Sequence, residues 1–315
     1  MRIVFLATGE IAIPAFKTLL NRGDCEMLAL VTQPDRPTGR KQALTPPAIK
    51  LIAEAHDIPV FQPEKIATIA DTLAKLSADF FVVMAYGQLL PQRVINTPKT
   101  ACLNLHGSLL PRHRGASPIQ AAIMAGDAET GVTVMHVVRA LDAGDIVNAK
   151  TTPIRSDDTG GILHDRLAEV AATAIDKAMD AFASETATRT PQDEAQVTYL
   201  GKLTRADGAI DWTQSAETIE RMIRAFDPWP GTTTTLHNGD DTLLLKVFPP
   251  VDVVKGEPRK IGAVHSDGGS LLIGCGDTST LRIHTIQPEG KRRMSVADFL
   301  RGYTLRSEAV CGEHS

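Results

Sequence analysis

Two polar side chains with complementary chemistry follow an apolar run in the stretch NLHGSLLPRHRG, residues 104–115. Asn104 carries a neutral amide that donates hydrogen bonds, and His106 can donate or accept a proton near neutral pH. Because residues i and i+2 of a strand point to the same face, the two side chains are predicted to share one side of a strand end. Such a pair suits a carbonyl group that becomes a tetrahedral oxyanion while the attacking group loses a proton.

The segment RALDAGDIV, residues 139–147, offers a carboxylate that could orient the histidine. Asp142 and Asp145 both follow another predicted strand, and the pattern by itself leaves either residue open. Each motif taken alone is more often structural, since Asn-x-His at a strand end commonly caps backbone groups and LDAGD is commonly a turn. Ser108 has no GxSxG context, which disfavours a serine hydrolase.

The elements that must position these residues alternate between short apolar runs and helical patterns. The runs predict strands at 2–7, 27–32, 80–85, 101–106 and 131–138, with helices at 12–22, 47–56 and 161–184. This alternation predicts an α/β domain with a Rossmann-like, doubly wound, mostly parallel sheet, whose ligand crevice lies beyond the carboxyl ends of the strands. The first strand is followed by ATGEIA instead of GxGxxG, so the nicotinamide fingerprint is absent.

The second part of the chain has a different pattern. The polar, aperiodic stretch 184–208 indicates a linker, and we place a first domain at 1–188, the linker at 189–207 and a second domain at 208–315. A helix beginning after Ser215 is followed by short strands at 232–236, 243–247, 271–273 and 281–286, broken by glycine and aspartate turns. A last short helix is expected after Ser295. The pattern predicts a smaller, OB-like β-barrel.

Composition narrows the classes of protein. The chain has 315 residues, 43% of them hydrophobic and 22% charged, with a formal net charge of −4. These values are typical of a globular protein with two domains, and they disfavour nucleic-acid binding through bulk positive charge. The four cysteines are far apart, which predicts reduced thiols and no zinc site. We find no signal peptide or membrane span and expect a cytoplasmic protein.

The stretch NLHGSLLPRHRGASPIQ, followed by LDAGDI, resembles the formyltransferase family that uses 10-formyltetrahydrofolate. The resemblance implies that Asn104, His106 and Asp142 are catalytic, with Asp142 preferred to Asp145 because it lies in the L-D-x-G motif. It implies no metal. It also implies a folate site formed by Ser108, Leu109, Leu110, Pro111, Met84, Ala85, Tyr86, Gly87, Gln88 and Leu89, with Tyr86 at the mouth of the pterin pocket.

Four further segments are similar to the members of this family that act on methionyl-tRNA: TQPDRPTGRKQ, KLTRADGAIDW, RAFDPWPG and QPEGKRRMSVADFLRG. This similarity implies formyl transfer to the methionine of initiator methionyl-tRNA for translation initiation, by a protein that we expect to be a monomer. The tRNA would be met by local cations, namely Arg36, Arg40, Lys41, Arg221, Arg224, Lys291, Arg292 and Arg293. Two departures are that Ala7-Thr8-Gly9 replaces the usual G-T-P, and that His113 replaces the usual aromatic residue between two arginines.

Two other functions compete with this interpretation. A folate-dependent formyltransferase or hydrolase acting on a small molecule predicts the same catalytic residues, but it predicts neither the loop at 34–42 nor the C-terminal motifs. A non-catalytic RNA-binding protein built on a retired enzyme fold is disfavoured by the intact Asn104, His106 and Asp142.

Overall fold

The computed structural model describes residues 1–38, 43–256 and 259–312, and the chain forms two compact units. The first unit consists of Met1–Pro118, Glu129–Pro153 and His164–Leu200. The second consists of Ile119–Ala128, Ile154–Leu163 and Gly201–Ser315. The segment 189–207, which we predicted as a linker, therefore contributes residues to both units.

The chain up to Leu200 contains eleven described strands and six α-helices. The strands are β1 (Arg2–Ala7), β2 (Glu26–Val31), β3 (Arg36–Thr38), β4 (Ala43–Thr45), β5 (Val60–Phe61), β6 (Phe80–Met84), β7 (Ala101–His106), β8 (Arg114–Gly115), β9 (Glu129–His136), β10 (Ile146–Pro153) and β11 (Tyr199–Leu200). The helices are α1 (Ile13–Asn21), α2 (Ala48–Ala55), α3 (Ala70–Lys75), α4 (Gln92–Ile95), α5 (Pro118–Ala125) and α6 (Gly160–Ala183).

The main sheet of the first unit has the strand order β10-β9-β7-β6-β1-β2-β5. Strands β5, β2, β1, β6 and β7 run parallel, while β9 and β10 pair antiparallel, so the predicted Rossmann-like, mostly parallel sheet is confirmed. The chain builds outward from β1 in one direction through β2 and β5, then in the other through β6 and β7. This reversal makes a topological switch point between β1 and β6, where such sheets bind their ligands.

Burial explains why the sequence revealed some strands of this sheet and not others. Strand β6, with the sequence FFVVM, is buried along its whole length and packs in a cluster that includes Val4, Leu6, Phe81 and Val83. A strand covered on both faces must be apolar throughout, which makes it visible as a run. Strand β10 is an edge strand that is partly exposed and has the mixed sequence IVNAKTTP, so it was missed.

The long connection from Thr32 to Thr45 contains a small hairpin. Strands β3 and β4 pair antiparallel, with Arg36 opposite Thr45 and Pro37 opposite Leu44. We had predicted only a loop here. Arg40 and Lys41, two of the predicted tRNA-binding residues, lie outside the described residues.

The second unit contains an antiparallel sheet built from β12 (Thr232–Asn238), β13 (Asp241–Val254), β14 (Val264–Ser266), β15 (Leu271–Gly274), β16 (Thr280–Pro288), β17 (Met294–Ser295) and β18 (Val310–Cys311), with helices α7 (Ala216–Ala225) and α8 (Val296–Gly302). The strand order is β14-β15-β16-β13-β12-β18, and a bridge between Ala263 and Val310 links its two ends. The sheet is therefore a nearly closed barrel, as predicted.

Local signals start helices α7 and α8. The Ser215 hydroxyl accepts the backbone N–H of Thr218 at 3.1 Å, and the Ser295 hydroxyl accepts that of Asp298 at 3.0 Å, so both predicted N-caps are present. Helix α7 buries Ile219 and Ile223 in the core of the unit. Within the described residues, no helix is long and apolar enough to cross a bilayer.

Candidate active site

Strand β7 brings Asn104 and His106 to the carboxyl edge of the sheet, beside the topological switch point. Its register places Asn104 between Val83 of β6 and Met135 of β9, and His106 opposite Thr133. Asn104 is half-buried and His106 is buried. The i, i+2 spacing in a strand therefore produces the shared face that the sequence predicted.

The His106 ring lies between two oxygen atoms. Its Nε2 is 2.8 Å from the carbonyl oxygen of His113, and its Nδ1 is 3.6 Å from Oδ2 of Asp142. Asp142 is only 9% exposed, so little water screens the carboxylate from the ring. By contrast, Oδ2 of Asp145 lies 3.3 Å from Nε of Arg189, in a partly exposed pair. The structure thus directs Asp142, and not Asp145, at the histidine.

The backbone at this site adopts conformations that side chains normally disfavour. Ala85, His113 and Asp142 have φ angles of 47°, 58° and 52°, in the left-handed region. A residue other than glycine in this region costs of order 1–3 kcal/mol and persists only where the surroundings hold it. One such restraint is the N–H of Gly115, which donates to Oδ2 of Asp142 at 2.9 Å.

The turn after β7 is held to β9 by one threonine hydroxyl. Thr133 Oγ1 donates to the carbonyl oxygen of Ser108 at 2.7 Å and accepts the N–H of Leu110 at 3.1 Å. The Ser108 hydroxyl donates to the carbonyl oxygen of Arg112 at 2.7 Å, and the Leu110–Pro111 peptide bond is cis. The segment predicted to run along the folate, Ser108 to Pro111, is therefore a pinned turn beside His106.

The loop after β6 is similarly attached to the strand next to it. The Ala85 carbonyl oxygen accepts the N–H groups of Thr8 and Gly9, both at 3.2 Å. A Cβ on Gly9 would lie 3.1 Å from Cβ of Ala85, so the glycine at the position of the usual proline allows this close approach. Met84, at the end of β6, is buried.

Among the predicted folate-binding side chains, Tyr86 is placed differently from our expectation. Its ring is 2% exposed and belongs to the cluster around Phe81 and Val94, so it does not stand at the mouth of a pocket. Burial raises the pKa of the Tyr86 hydroxyl to about 12. The Oε1 of Gln88 accepts the N–H of Ile66, and its Nε2 donates to the carbonyl oxygen of Pro63. Leu89 is 83% exposed.

Two of the six predicted tRNA-binding cations that the structure describes, Arg36 and Arg224, form ion pairs within the chain. Arg36 forms an exposed ion pair with Glu64 at 3.1 Å. The guanidinium of Arg224 is bound by Glu220 at 3.1 Å and by the carbonyl oxygen of Asp158 at 3.0 Å. Its side chain is only 13% exposed, which favours a structural role.

The remaining cations lie on helix α7 and in the turn between β16 and β17. Arg221 packs against Gly126, where a Cβ would come within 2.5 Å of the guanidinium carbon. Lys291, Arg292 and Arg293 are exposed, and the guanidinium carbon of Arg293 lies 4.1 Å from the centre of the Phe248 ring.

Two residues that contact the site were not predicted from the sequence. Arg114 is almost fully buried, and Gln192 lies in the segment that we had predicted as a linker. Gln192 donates to the carbonyl oxygens of Asp142 and Gly144. A buried arginine requires hydrogen-bond acceptors, but the sequence pattern does not indicate which segment supplies them. In the described part of the chain, no group of three His, Cys, Asp or Glu side chains is arranged to hold a metal ion.

Comparison with known proteins covers both units. Residues 1–179 match the family model described as formyl transferase, and residues 202–304 match the one described as formyl transferase, C-terminal domain. The methionyl-tRNA formyltransferase of Akkermansia muciniphila is 49% identical over 307 residues, which cover 96% of this chain and 97% of that protein. The methionyl-tRNA formyltransferase of Geobacter metallireducens is 42% identical over 307 residues, which cover 97% of this chain and 96% of that protein.

Solved structures share the fold at low sequence identity. WlaRD, a sugar 3N-formyl transferase solved in the presence of dTDP and 5-N-formyl-THF, matches with a TM-score of 0.66 and 16% identity, over 93% of this chain and 99% of that one. HypX from Aquifex aeolicus, solved with tetrahydrofolic acid, matches with a TM-score of 0.57 and 20% identity over 95% of this chain. The chain spans about half the length of HypX, 47%.

Proposed function

The chain belongs to the formyl transferase family, and we propose that it transfers the formyl group of 10-formyltetrahydrofolate to the amino group of methionine on initiator methionyl-tRNA. The observation that carries the proposal is that Asp142 faces His106 at 3.6 Å, while Asn104 lies two residues before His106 on the same strand, beside the switch point of the sheet. Relatives named methionyl-tRNA formyltransferase align with nearly the whole chain, including the second unit, and so support the tRNA as acceptor.

The three side chains divide the work of acyl transfer. The Asn104 amide donates to the formyl oxygen as it becomes an oxyanion, which is the interaction that grows in the transition state. The Nε2 of His106 donates to the His113 carbonyl oxygen, so Nδ1 takes up the proton that the attacking amine loses. The bond from the formyl carbon to N10 then breaks, and His106 returns the proton to N10 as tetrahydrofolate leaves. Asp142, whose carboxylate faces Nδ1, orients the ring and balances its positive charge when it is protonated.

The folate supplies the formyl group, and the folate site is formed by the turn after β7 and the loop after β6. The turn from Ser108 to Pro111 and the loop from Ala85 to Leu89 follow neighbouring strands, so they flank the catalytic pair. Their backbone is restrained by Thr133 and by the Thr8–Gly9 peptide, which keeps the loops in position before the folate arrives. The exposed Leu89 offers apolar surface to the flat pterin ring.

The chain carries a formal charge of −4, so its net charge does not attract the tRNA. The acceptor tRNA is recognised by individual basic side chains at specific positions. We assign this role to Arg36, Arg40 and Lys41 in the first unit and to Arg221 and Lys291–Arg293 in the second. Arg224, predicted as a contact from the sequence, is better explained as an internal ion-pair partner of Glu220. We further propose that the protein acts as a monomer in the cytoplasm.

A formylation assay with three acceptors tests the proposal. The purified chain and 10-formyltetrahydrofolate are incubated with initiator methionyl-tRNA, with elongator methionyl-tRNA or with free methionine. We expect rapid formylation of the initiator tRNA alone. Formylation of a small amine in preference to the tRNA would instead support an enzyme for small molecules, and inactivity towards all acceptors combined with tRNA binding would support a non-catalytic RNA-binding protein.

A further inference from the structure

Segment 190–200, which has no apolar period and which the sequence predicts as a linker, is fastened to the catalytic strand region at both ends. At one end Thr190 exchanges two backbone hydrogen bonds with Ile146, at 2.8 and 2.9 Å. At the other, β11 pairs with β8, and the carbonyl oxygen of Thr198 accepts the N–H of Arg114 at 2.9 Å. Segment 190–200 is therefore a fixed part of the first unit, lying between the loop of Asp142 and the turn after β7.

Gln192 lies between these two attachments and reaches into the loop of Asp142. Its Nε2 donates to the carbonyl oxygen of Asp142 and to that of Gly144, both at 2.8 Å. Its Oε1 accepts from Nε and Nη2 of Arg114, at 3.1 and 2.8 Å. The orientation of the amide follows from its partners, since carbonyl groups only accept and a guanidinium only donates.

Arg114 completes this network from inside the protein. Its side chain is 2% exposed, so its charge requires acceptors that water cannot provide. Besides Gln192, it donates to both carboxylate oxygens of Glu194, at 2.7 and 3.3 Å, and to the hydroxyl of Tyr199 at 3.2 Å. All of these acceptors come from segment 190–200, so the buried charge and the segment hold each other in place.

The backbone of Asp142 is strained in the conformation that aims its carboxylate at His106, since its φ is 52°. The N–H of Gly115 restrains the carboxylate, and the amide of Gln192 restrains the carbonyl group of the same residue. Gly115 must itself be glycine, because its φ is 109° and a Cβ would lie 2.3 Å from the carbonyl oxygen of Leu200. Both restraints on Asp142 thus depend on segment 190–200.

We propose that Gln192 is a positioning residue, which holds the backbone of Asp142 so that its carboxylate stays directed at His106. The proposal rests on the proposed function, because it assigns Gln192 to the same formyl transfer. Gln192 touches neither the imidazole ring nor a reacting atom. Its effect is to keep the separation between Asp142 and His106 short enough for the carboxylate to act during turnover.

The decisive variant is Gln192→Glu, which keeps the size of the side chain and its acceptor for Arg114 but replaces the donating NH₂ by a carboxylate oxygen facing two carbonyl groups. Gln192→Ala removes both the donor to the carbonyl groups and the acceptor for Arg114.

The matched control is Gln196→Ala in the same segment, since the Gln196 amide is exposed and bonds only to Asp193 among described residues. We expect kcat for formylation of initiator methionyl-tRNA to fall by roughly ten- to a hundredfold in Gln192→Glu, because the Asp142 carboxylate is displaced from His106. KM for both substrates should be unchanged.

Steady-state kinetics, the melting temperature and the folate affinity are measured on the full chain for each variant. The proposal is supported if kcat falls in Gln192→Glu while KM and melting temperature match those of Gln196→Ala. It is overturned if kcat is unchanged, if only KM rises, or if activity falls only in proportion to the folded fraction. An unmodified chain that does not formylate the tRNA would refute the proposed function instead, so the two failures are distinguishable.

Discussion

The loop of Asp142 in the first unit and the basic residues of the second unit show two ways in which charged groups are used. Asp142 is buried, strained and contacted from two sides, whereas Lys291, Arg292 and Arg293 lie exposed in a turn. An acid that must face one atom of a histidine needs fixed geometry. A cation that must meet phosphate needs only charge and reach. A charged side chain that is buried and held by neighbouring groups therefore indicates a catalytic or structural role. An exposed charged side chain indicates binding of another molecule.

The largest expected effect is the loss of either polar side chain on β7. Asn104→Ala and His106→Ala should each lower kcat by on the order of 10²–10³ while the fold survives, because each removes an interaction that forms in the transition state. Steady-state formylation of initiator methionyl-tRNA, beside melting temperature, measures this. Near-normal turnover in either variant would remove that residue from the mechanism.

A smaller but still large effect should separate the two aspartates of the 139–147 segment. Asp142→Asn keeps the shape of the side chain but loses the charge facing His106, so kcat should fall by about 10². Asp145→Asn is the matched control, because it removes a partly exposed pair with Arg189 and should change kcat less than about threefold. The reverse ranking, measured under the same conditions, would transfer the carboxylate role to Asp145.

An intermediate effect, confined to one substrate, is expected at Arg40. Arg40→Ala should reduce kcat/KM for initiator methionyl-tRNA by about ten- to a hundredfold, the range for a hydrogen bond to a charged group. Folate affinity, measured by calorimetry, should not change. Arg40→Lys should restore only part of the activity, because the charge remains while the planar guanidinium is lost.

Two outcomes at Arg40 would count against this role. Equal loss of folate affinity and tRNA formylation would mean that the residue supports the active site. No loss with either substrate would mean that it is an ordinary surface residue.

The smallest effects should distinguish two arginines of the second unit. Arg224→Ala should lower the free energy of unfolding by about 1–3 kcal/mol, because it leaves Glu220 without its largely buried partner. Arg292→Ala should leave stability unchanged and raise KM for the tRNA, with the slope of log KM against log salt reduced by about 1. Chemical denaturation and kinetics at several salt concentrations measure these effects. If Arg224→Ala weakened tRNA binding without loss of stability, the contrast between fixed and exposed cations would fail.

The sequence was sufficient wherever a requirement is local along the chain. Strand β6 had to be apolar because it is covered on both faces, and β7 had to place residues two apart on one side, so both strands and the Asn104–His106 pair were predictable. Ser215 and Ser295 were predictable as caps, because a cap bonds to the N–H group three residues on. The resemblance of whole motifs then indicated the family, which the comparisons confirm.

Only the tertiary structure decided which charged groups act on which partners. From the residues alone, Asp142 and Asp145 were equivalent, and their different partners, His106 and Arg189, are determined by strands β7, β9 and β10. Segment 190–200 looked like a linker because its residues are polar, yet its contacts with Arg114 and Asp142 lie 50 or more residues away along the chain. Burial and hydrogen bonding between distant segments leave no local period, since each depends on where the chain returns.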